Sequence, residues 1–177
     1  GKSGSAWLIE QNHGLKLPRG LQQDFSQHVQ QATDSDGKEM THHALWQLFR
    51  TRYGLQAQPA LTLLDYQSAS QQDGQLSLQA TLRHHGETRR LQGQGNGLLS
   101  AAASGLSALF RQPFMIKDYH EHTLGARSDS RSVAYIRCVF PQGESYWGVG
   151  IDNDVARASL QALCNALSAA DQAGGRK

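Results

Sequence analysis

The sequence predicts an α+β fold, in which a helical linker subdomain precedes two pseudo-symmetric units of three strands and one helix. Two observations carry this prediction. Apolar residues recur at helical spacing from residue 17 to residue 54, whereas from Ala60 onward they alternate with polar residues. The strand-and-helix pattern then occurs twice in succession. We therefore place the helical linker subdomain at residues 1–57 and the two-unit domain at residues 58–177.

The composition excludes several classes of protein. The chain has 177 residues, which is too short for a (β/α)₈ barrel of about 250 residues. Its formal net charge of +2 argues against a nucleic-acid partner. The most apolar stretch, residues 98–110, is too short to span a membrane and is interrupted by serine and glycine. The regular apolar segments exclude general disorder.

The two cysteines and the first residues indicate the setting of the protein. Cys138 and Cys164 each occur in an apolar pattern, which predicts two buried thiols rather than a disulfide or a nucleophile. The first residues contain no apolar segment typical of a secretory signal and no initiator methionine. We expect a cytoplasmic protein, and a chain cut or processed from something longer.

The linker subdomain is predicted to contain two clear helices. Residues 6–9 fit either a short extended piece or a helix turn. Pro18 suits the first turn of a helix that stops at residues 34–37. Thr41 suits the N-cap of a second helix, which ends at Tyr53-Gly54. The apolar faces of the two helices comprise Leu21, Phe25, Val29 and Ala32, and then Ala44, Leu45, Leu48 and Phe49.

The first strand-and-helix unit follows this subdomain. Residues 61–66, 76–82 and 87–93 are predicted to form strands, because apolar and polar residues alternate there between turn signals. A glycine-rich corner, residues 93–97, then leads into a helix. The apolar face of that helix comprises Leu99, Ala102, Ala103, Leu106, Leu109 and Phe110.

The second unit repeats this order. Residues 115–122, 134–140 and 144–150 are predicted to form strands, and a helix follows. The apolar face of that helix comprises Val155, Ser159, Ala162, Leu163, Ala166 and Leu167. The turn glycine Gly86 corresponds to Gly143 (143 − 86 = 57), and Gly93 corresponds to Gly148 (148 − 93 = 55). Helices then cover one face of each sheet, and dimerisation is expected to cover the other face or a sheet edge.

The Gly95-Asn96-Gly97 corner is the most specific local signal. Glycines between a strand and a helix let the backbone turn tightly and approach a ligand closely. The helix N-terminus behind them offers free N–H groups that favour a carboxylate or a phosphate. A tight turn without a ligand is the alternative. The corner is not a dinucleotide fingerprint, because Leu98 stands where G-x-G-x-x-G requires glycine.

Histidines give weaker signals. On a strand, His120 and His122 point to one face, a spacing compatible with metal ligation, but no third ligand is evident and solvated histidines are the alternative. His13 lies in a predicted loop, where no acidic partner is fixed by spacing. No Ser-His-Asp arrangement, P-loop or zinc-type cysteine pair is present. The residues alone indicate a small-molecule-binding or assembly domain without a complete active site.

Five motifs occur in an order that resembles a known family. They are Gly1-Lys2-Ser3-Gly4-Ser5-Ala6-Trp7, His13-Gly14-Leu15-x-Leu17-Pro18-Arg19-x-Leu21-Gln22, Gly95-Asn96-Gly97, Asp118-Tyr119-x-Glu121-His122 and Trp147-Gly148-Val149-Gly150. Together they resemble the region of 2-isopropylmalate synthases that follows the catalytic barrel. The resemblance covers nearly the whole chain, from the linker subdomain through the leucine-responsive regulatory and dimerisation domain.

The resemblance implies an activity and partners. The full enzyme of this family condenses acetyl-CoA with 2-oxoisovalerate, the committed step of leucine synthesis. Its barrel holds a divalent metal, so we expect no cofactor and no catalysis in this chain alone. The implied partners are a second copy in a homodimer, the barrel of the same full-length chain, and L-leucine as feedback inhibitor. Neither nucleic acid nor a membrane is an expected partner.

The resemblance also implies site residues. The effector-binding set is Gly95, Asn96, Gly97, Leu98, Ile116, Asp118, Tyr119 and Ser130. N–H groups around Gly97 would bind the carboxylate of leucine, Asp118 or backbone carbonyls its ammonium, and apolar side chains its isobutyl group. His13 matches a linker histidine that reaches the active site of the partner subunit and assists proton transfer. The sequence departs from the family at Leu98, where proline is common, and at Thr123, where a small apolar residue is usual.

Three other interpretations remain open at this point. One is a citramalate synthase, whose similar domain senses isoleucine. Another is a dimerisation module that binds no ligand. The third is a metal-binding module that uses His120 and His122.

Overall fold

The computed structural model describes residues 2–125 and 130–174. Within these ranges the chain forms five helices and two three-stranded antiparallel sheets, which confirms the predicted α+β fold. The elements, in chain order, are α1 (Lys2–His13), α2 (Arg19–Asp36), α3 (His42–Tyr53), β1 (Leu61–Ser70), β2 (Leu76–His84), β3 (Glu87–Gly95), α4 (Leu98–Phe110), β4 (Met115–Leu124), β5 (Arg131–Val139), β6 (Ser145–Asp152) and α5 (Val155–Ala173).

The ends of the linker helices follow from local capping. Residues 6–9 belong to α1, so the helical alternative is confirmed there and α1 extends to His13. Pro18 is the N-cap of α2 rather than a residue of its first turn. The Thr41 hydroxyl accepts a hydrogen bond from Ala44 N at 3.0 Å, which confirms the predicted N-cap of α3. Gly54 ends α3 in the left-handed conformation, with φ of 92°.

The two sheets repeat one another closely. Their strand orders are β1-β2-β3 and β4-β5-β6, each formed by consecutive hairpins. The first strand of each sheet carries an irregularity in register, between Leu63 and Asp65 in β1 and between Ile116 and Asp118 in β4. β1 and β4 each continue beyond their predicted ends, because backbone pairing persists after the apolar alternation has stopped.

Each helix packs on its own sheet through a glycine of the third strand. A Cβ built on Gly93 would lie 2.0 Å from Ala101 O in α4, and one on Gly150 would lie 2.1 Å from Ala158 O in α5. Gly93 therefore corresponds to Gly150 (150 − 93 = 57). The predicted match with Gly148 was wrong, because Gly148 meets α5 one turn later, at Ala162 O, whereas Gly93 and Gly150 both meet the first turn of their helices.

Two apolar clusters organise the molecule. The first lies between the units and combines buried residues from both sheets, α4 and α5. The second joins the linker helices to the opposite face of the β4-β5-β6 sheet, where Val133, Tyr135, Trp147 and Val149 are buried. The linker therefore covers the sheet face for which dimerisation was expected. The corresponding face of the other sheet is polar, with Gln79, Arg83, Gln92 and Gln94 exposed.

Cys138 and Cys164 are both buried and free, as predicted. Burial raises the pKa of each thiol to about 12, and the neighbouring Cys164 contributes to the shift at Cys138. These thiols are therefore protonated and unreactive at neutral pH. In the described part of the chain, no helix is both long and apolar enough to cross a membrane.

Candidate functional site

The glycine corner ends β3 and begins α4. Gly95 lies so close to α4 that a Cβ there would be 2.5 Å from Ser100 Oγ, whereas a Cβ on Gly97 would meet open space. Gly97 is the N-cap of α4, and its backbone is extended, with φ of −171°. Other residues adopt this conformation too, and a side chain would have room, so the fold itself does not require glycine there. The corner thus leaves an uncovered helix start, with Asn96 exposed beside it.

The corresponding corner of the second unit carries a carboxylate. Asp154 lies 57 residues after Gly97 and is the N-cap of α5. Its Oδ1 accepts from Ala156 N at 3.0 Å, and its Oδ2 accepts from the Tyr66 hydroxyl at 2.7 Å. The hydrogen bond from Tyr66 holds the pKa of Asp154 below its ordinary value. One unit therefore supplies its own carboxylate at the helix start, and the other does not.

The β4 residues of the predicted site lie around the irregularity in that strand. Asp118 Oδ2 accepts from Arg137 Nε at 2.5 Å. The Tyr119 hydroxyl lies 2.8 Å from Ser159 Oγ in α5 and donates to Glu121 Oε2 at 2.9 Å. Ile116 is half-buried against the core between the units. The side chains of Ile116 and Tyr119 thus lie on the helix-facing side of the sheet, whereas Asp118 is paired with Arg137.

A repeated Asp-Tyr pair, which the sequence predictions did not use, also relates the two units. Asp65-Tyr66 and Asp118-Tyr119 each follow the irregularity of their edge strand, 53 residues apart. Tyr119 is therefore the counterpart of Tyr66, the residue that binds the Asp154 carboxylate. The repeated Asp-Tyr pair could have revealed this correspondence from the sequence.

The predicted effector residues form two groups that flank one core. Leu98 and Ile116 pack against the same apolar cluster. Within the described ranges, however, no hydrogen bond or ion pair joins the corner to Asp118 or Tyr119. Ser130 is half-buried next to Gly125, and residues 126–129 of its loop lie outside the described part. A cavity of about 320 Å³ lies near the other ends of α4 and α5 and includes none of these residues.

His13 is held by aromatic contacts at the end of α1, rather than in a loop. Its ring stacks on Trp46, with centroids 3.6 Å apart, and on His42 at 5.8 Å. Burial, and then the proximity of His42, lowers the pKa of His13. Its Nε2 is buried, and no hydrogen-bond partner occurs for it among the residues the structure describes. The ring is thus neutral at neutral pH and fixed in orientation.

His122 connects β4 to the linker. Its Nε2 accepts from Lys16 N at 3.2 Å and lies 2.8 Å from the Tyr135 hydroxyl. Its Nδ1 lies 3.3 Å from Thr123 O. Its Nε2 is therefore already engaged by two protein groups. In the described residues the group of three potential metal ligands is instead His84, His85 and Asp171.

Comparison with known proteins decides the family. The sequence model of one protein family, the LeuA allosteric (dimerisation) domain, matches residues 39–170, about three quarters of the chain. The chain belongs to the LeuA allosteric (dimerisation) domain family. The match to the LeuA domain begins at residue 39, just before α3, so it includes the last helix of the linker.

Relatives extend the match over the linker. The chain is 46% identical over 168 residues to a 2-isopropylmalate synthase of Marinomonas sp. (strain MWYL1), covering 94% of this chain and 30% of the relative. It is 38% identical over 175 residues to a 2-isopropylmalate synthase of Rhodospirillum rubrum, covering 97% of this chain and 31% of the relative. These matches confirm the resemblance read from the motifs, and the chain spans about 30% of the length of such relatives.

Proposed function

We propose that this chain is the leucine-binding, dimerising regulatory part of a 2-isopropylmalate synthase. The complete protein would condense acetyl-CoA with 2-oxoisovalerate, and this part would reduce that activity when leucine is bound. The divalent metal implied for the reaction belongs to the barrel outside this chain. A cytoplasmic setting is part of the same proposal. The relatives support it because they share the name 2-isopropylmalate synthase along nearly the whole chain.

One observation supports the leucine site most strongly. The N-cap of α5 is an aspartate, whereas the N-cap of α4 is a glycine and supplies no carboxylate. At α5, the Asp154 carboxylate is held by a helix N–H group and by Tyr66. At α4, Gly97 leaves the equivalent place open. The carboxylate of a free amino acid would occupy that place, bound by N–H groups of the first turn of α4 and by Tyr119, the counterpart of Tyr66.

The ammonium and isobutyl groups of leucine would contact other predicted residues of β4 and α4. Backbone carbonyls of β4 would accept from the ligand's ammonium group, because Asp118 lies on the opposite face of the strand from Tyr119 and is paired there with Arg137. Leu98 and Ile116 would enclose the isobutyl group, since both are half-buried against the common core. Burying a side chain of that size contributes about 1.5–3 kcal/mol.

Contacts at the end of β4 supply a route from this site to the linker. His122 lies three residues after Tyr119 and binds Lys16 N, three residues after His13. A Cβ on Gly14 would lie 3.0 Å from the Leu124 side chain, so the loop after α1 rests directly on β4. A shift of β4 on leucine binding would therefore move the backbone that holds His13. A coupling of about 1–3 kcal/mol is typical of allosteric proteins.

His13 would act on the barrel of the partner subunit within a homodimer. Its neutral ring, stacked on Trp46, suits proton transfer because an imidazole can both accept and donate a proton. The family description as a dimerisation domain supports the dimer.

Calorimetric titration of the chain with L-leucine and L-isoleucine tests the proposal. We expect leucine to bind more tightly, Gly97→Ala to retain binding, and Gly97→Asp to lose it while remaining folded and dimeric. The aspartate would place a carboxylate where Asp154 has one in the other unit and would repel that of the ligand. A preference for isoleucine would instead support a citramalate synthase. Thermal melts unmoved by either amino acid would support a dimerisation module without a ligand.

A further inference from the structure

A cluster of three side chains lies where the first unit meets the end of the last helix. His84 ends β2, His85 begins the turn to β3, and Asp171 lies in the last turn of α5. Their potential ligand atoms all lie within 4.8 Å of one another. His85 Nε2 is 3.5 Å from Asp171 Oδ2, although 86 residues separate them in the sequence (171 − 85 = 86).

We propose that His84, His85 and Asp171 form a zinc-binding site that fastens the β2–β3 hairpin to the end of α5. The site is independent of the leucine proposal. Two imidazole nitrogens and a carboxylate oxygen are ligands that zinc accepts at about 2.0–2.2 Å, whereas magnesium and calcium favour oxygen alone. Three protein ligands leave a fourth position of the tetrahedron for water. His85 and Asp171 are more than half exposed, so an ion can reach both from solvent.

The backbone of the turn supports this assignment. His85 has φ of 50° and Gly86 has φ of 84°, so both residues adopt the left-handed conformation. Two-residue hairpin turns of this kind favour asparagine, aspartate or glycine at the first position. Histidine also adopts this conformation more readily than most side chains, so the turn can hold His85. Its conformation brings the His85 ring to 4.3 Å from that of His84.

The second ligand is also held in place. The His84 ring packs edge-on against Phe110, with centroids 4.8 Å apart. His84 and Asp171 both line the cavity of about 320 Å³, so an ion between them would lie at its wall. Ser168 Oγ lines the same cavity, and it is buried without a hydrogen-bond partner in the described structure.

Zinc titration of the untagged 177-residue chain tests the site. The variants are His85→Asn, which suits the left-handed turn, and Asp171→Asn, which keeps the shape of an exposed side chain. The control is His120→Ala, which removes an exposed histidine on β4. Calorimetry measures affinity, and thermal melts establish that every variant is folded.

We expect the parent and the control to bind a single zinc ion equally well. Each site variant should bind at least tenfold more weakly, because loss of a direct ligand should exceed the ~10–100-fold effect of losing an outer partner. Zinc should raise the melting temperature of the parent more than that of the variants. Cobalt bound to the parent should give the visible absorption of a four-coordinate site. A parent without zinc affinity or cobalt absorption, or site variants with unchanged affinity, would reduce the cluster to an exposed ion pair and overturn the proposal.

Discussion

Gly54 lies directly against the side chain of Asn165, joining the end of α3 to the middle of α5. A Cβ on Gly54 would be 2.2 Å from Asn165 Cγ. Asn165 is buried, donates to Val149 O at 2.7 Å, and accepts from Gln161 Nε2 at 2.8 Å. The linker therefore meets α5 at a residue whose side chain is held by hydrogen bonds on both sides.

Gly54→Ala should destabilise the protein by about 2–5 kcal/mol. The alanine would adopt a left-handed conformation, which costs about 1–2 kcal/mol, and would also overpack Asn165 at about 1–3 kcal/mol. Gly37→Ala is the matched control, because Gly37 also ends a helix with positive φ but has nothing within 4 Å of its Cβ position. Urea unfolding of both variants measures the difference. Equal losses would show that the Asn165 contact does not matter.

Gly93→Ala should cost at least about 3 kcal/mol, because the new methyl group would meet the backbone of α4 at Ala101 O and Gly105 N. Backbone atoms cannot yield as a flexible side chain can, so the helix must leave the sheet. Gly97→Ala should cost under about 1 kcal/mol, the penalty of alanine at an N-cap. Denaturant midpoints compare the two variants, and similar losses would refute the proposed role of Gly93 in packing.

Tyr119→Phe should weaken leucine binding about tenfold, because a hydrogen bond to a charged carboxylate contributes about 1.5 kcal/mol. Tyr66→Phe is the control, since it removes the corresponding hydroxyl from the unit that carries Asp154. Calorimetry with leucine should show near-parent affinity for that control. If both variants bound leucine equally well, Tyr119 would not contact the carboxylate.

Tyr53→Phe should destabilise the linker by about 1.5–3 kcal/mol at neutral pH, because the Tyr53 hydroxyl donates to Asp24 Oδ2 at 2.6 Å. Burial alone would raise the pKa of Asp24, but hydrogen bonds from His28 and Tyr53 outweigh it and lower that pKa. A lowered carboxyl pKa stabilises the fold above the ordinary value of 3.8, and this stability is lost as the pH falls below it.

The acid dependence of the same variant provides a second measurement. The free energy of unfolding of the parent should fall between about pH 5 and pH 3, and more steeply than that of Tyr53→Phe. The difference isolates Asp24, because other carboxylates such as Asp154 contribute alike to both proteins. Parallel pH profiles would contradict the pairing.

The sequence patterns predicted the elements well, because their signals are local. Thr41 and Gly54 marked the two ends of α3, and alternation located β2. The correspondence of Gly93 with Gly150 depends on which turn of the helix each glycine touches, which is a tertiary contact. Asp118, predicted to bind an ammonium group, proved to be paired with Arg137, 19 residues away. No spacing rule fixes such a pair.

One missed feature did have a sequence signal. The run from Val133 to Ile136 is continuously apolar, whereas β2 alternates apolar with polar residues. Continuous runs are typical of strands buried on both faces. They predict that a second layer covers β5, and the linker is that layer. The stacking of His13 on Trp46 had no such signal, because it depends on how α1 and α3 pack.

Coverage of one sheet by the linker determines how the chain can be dissected. A protease that cut between Leu55 and Ala60 would nick the backbone without releasing the helices, since Leu21, Phe25 and Phe49 hold them on Trp147 and its neighbours. A fragment starting at residue 58 would instead bare the patch formed by Val133, Tyr135, Trp147 and Val149, and such surfaces drive self-association. Aggregation of that shortened fragment would result from loss of the linker helices and would not be evidence of the native dimer.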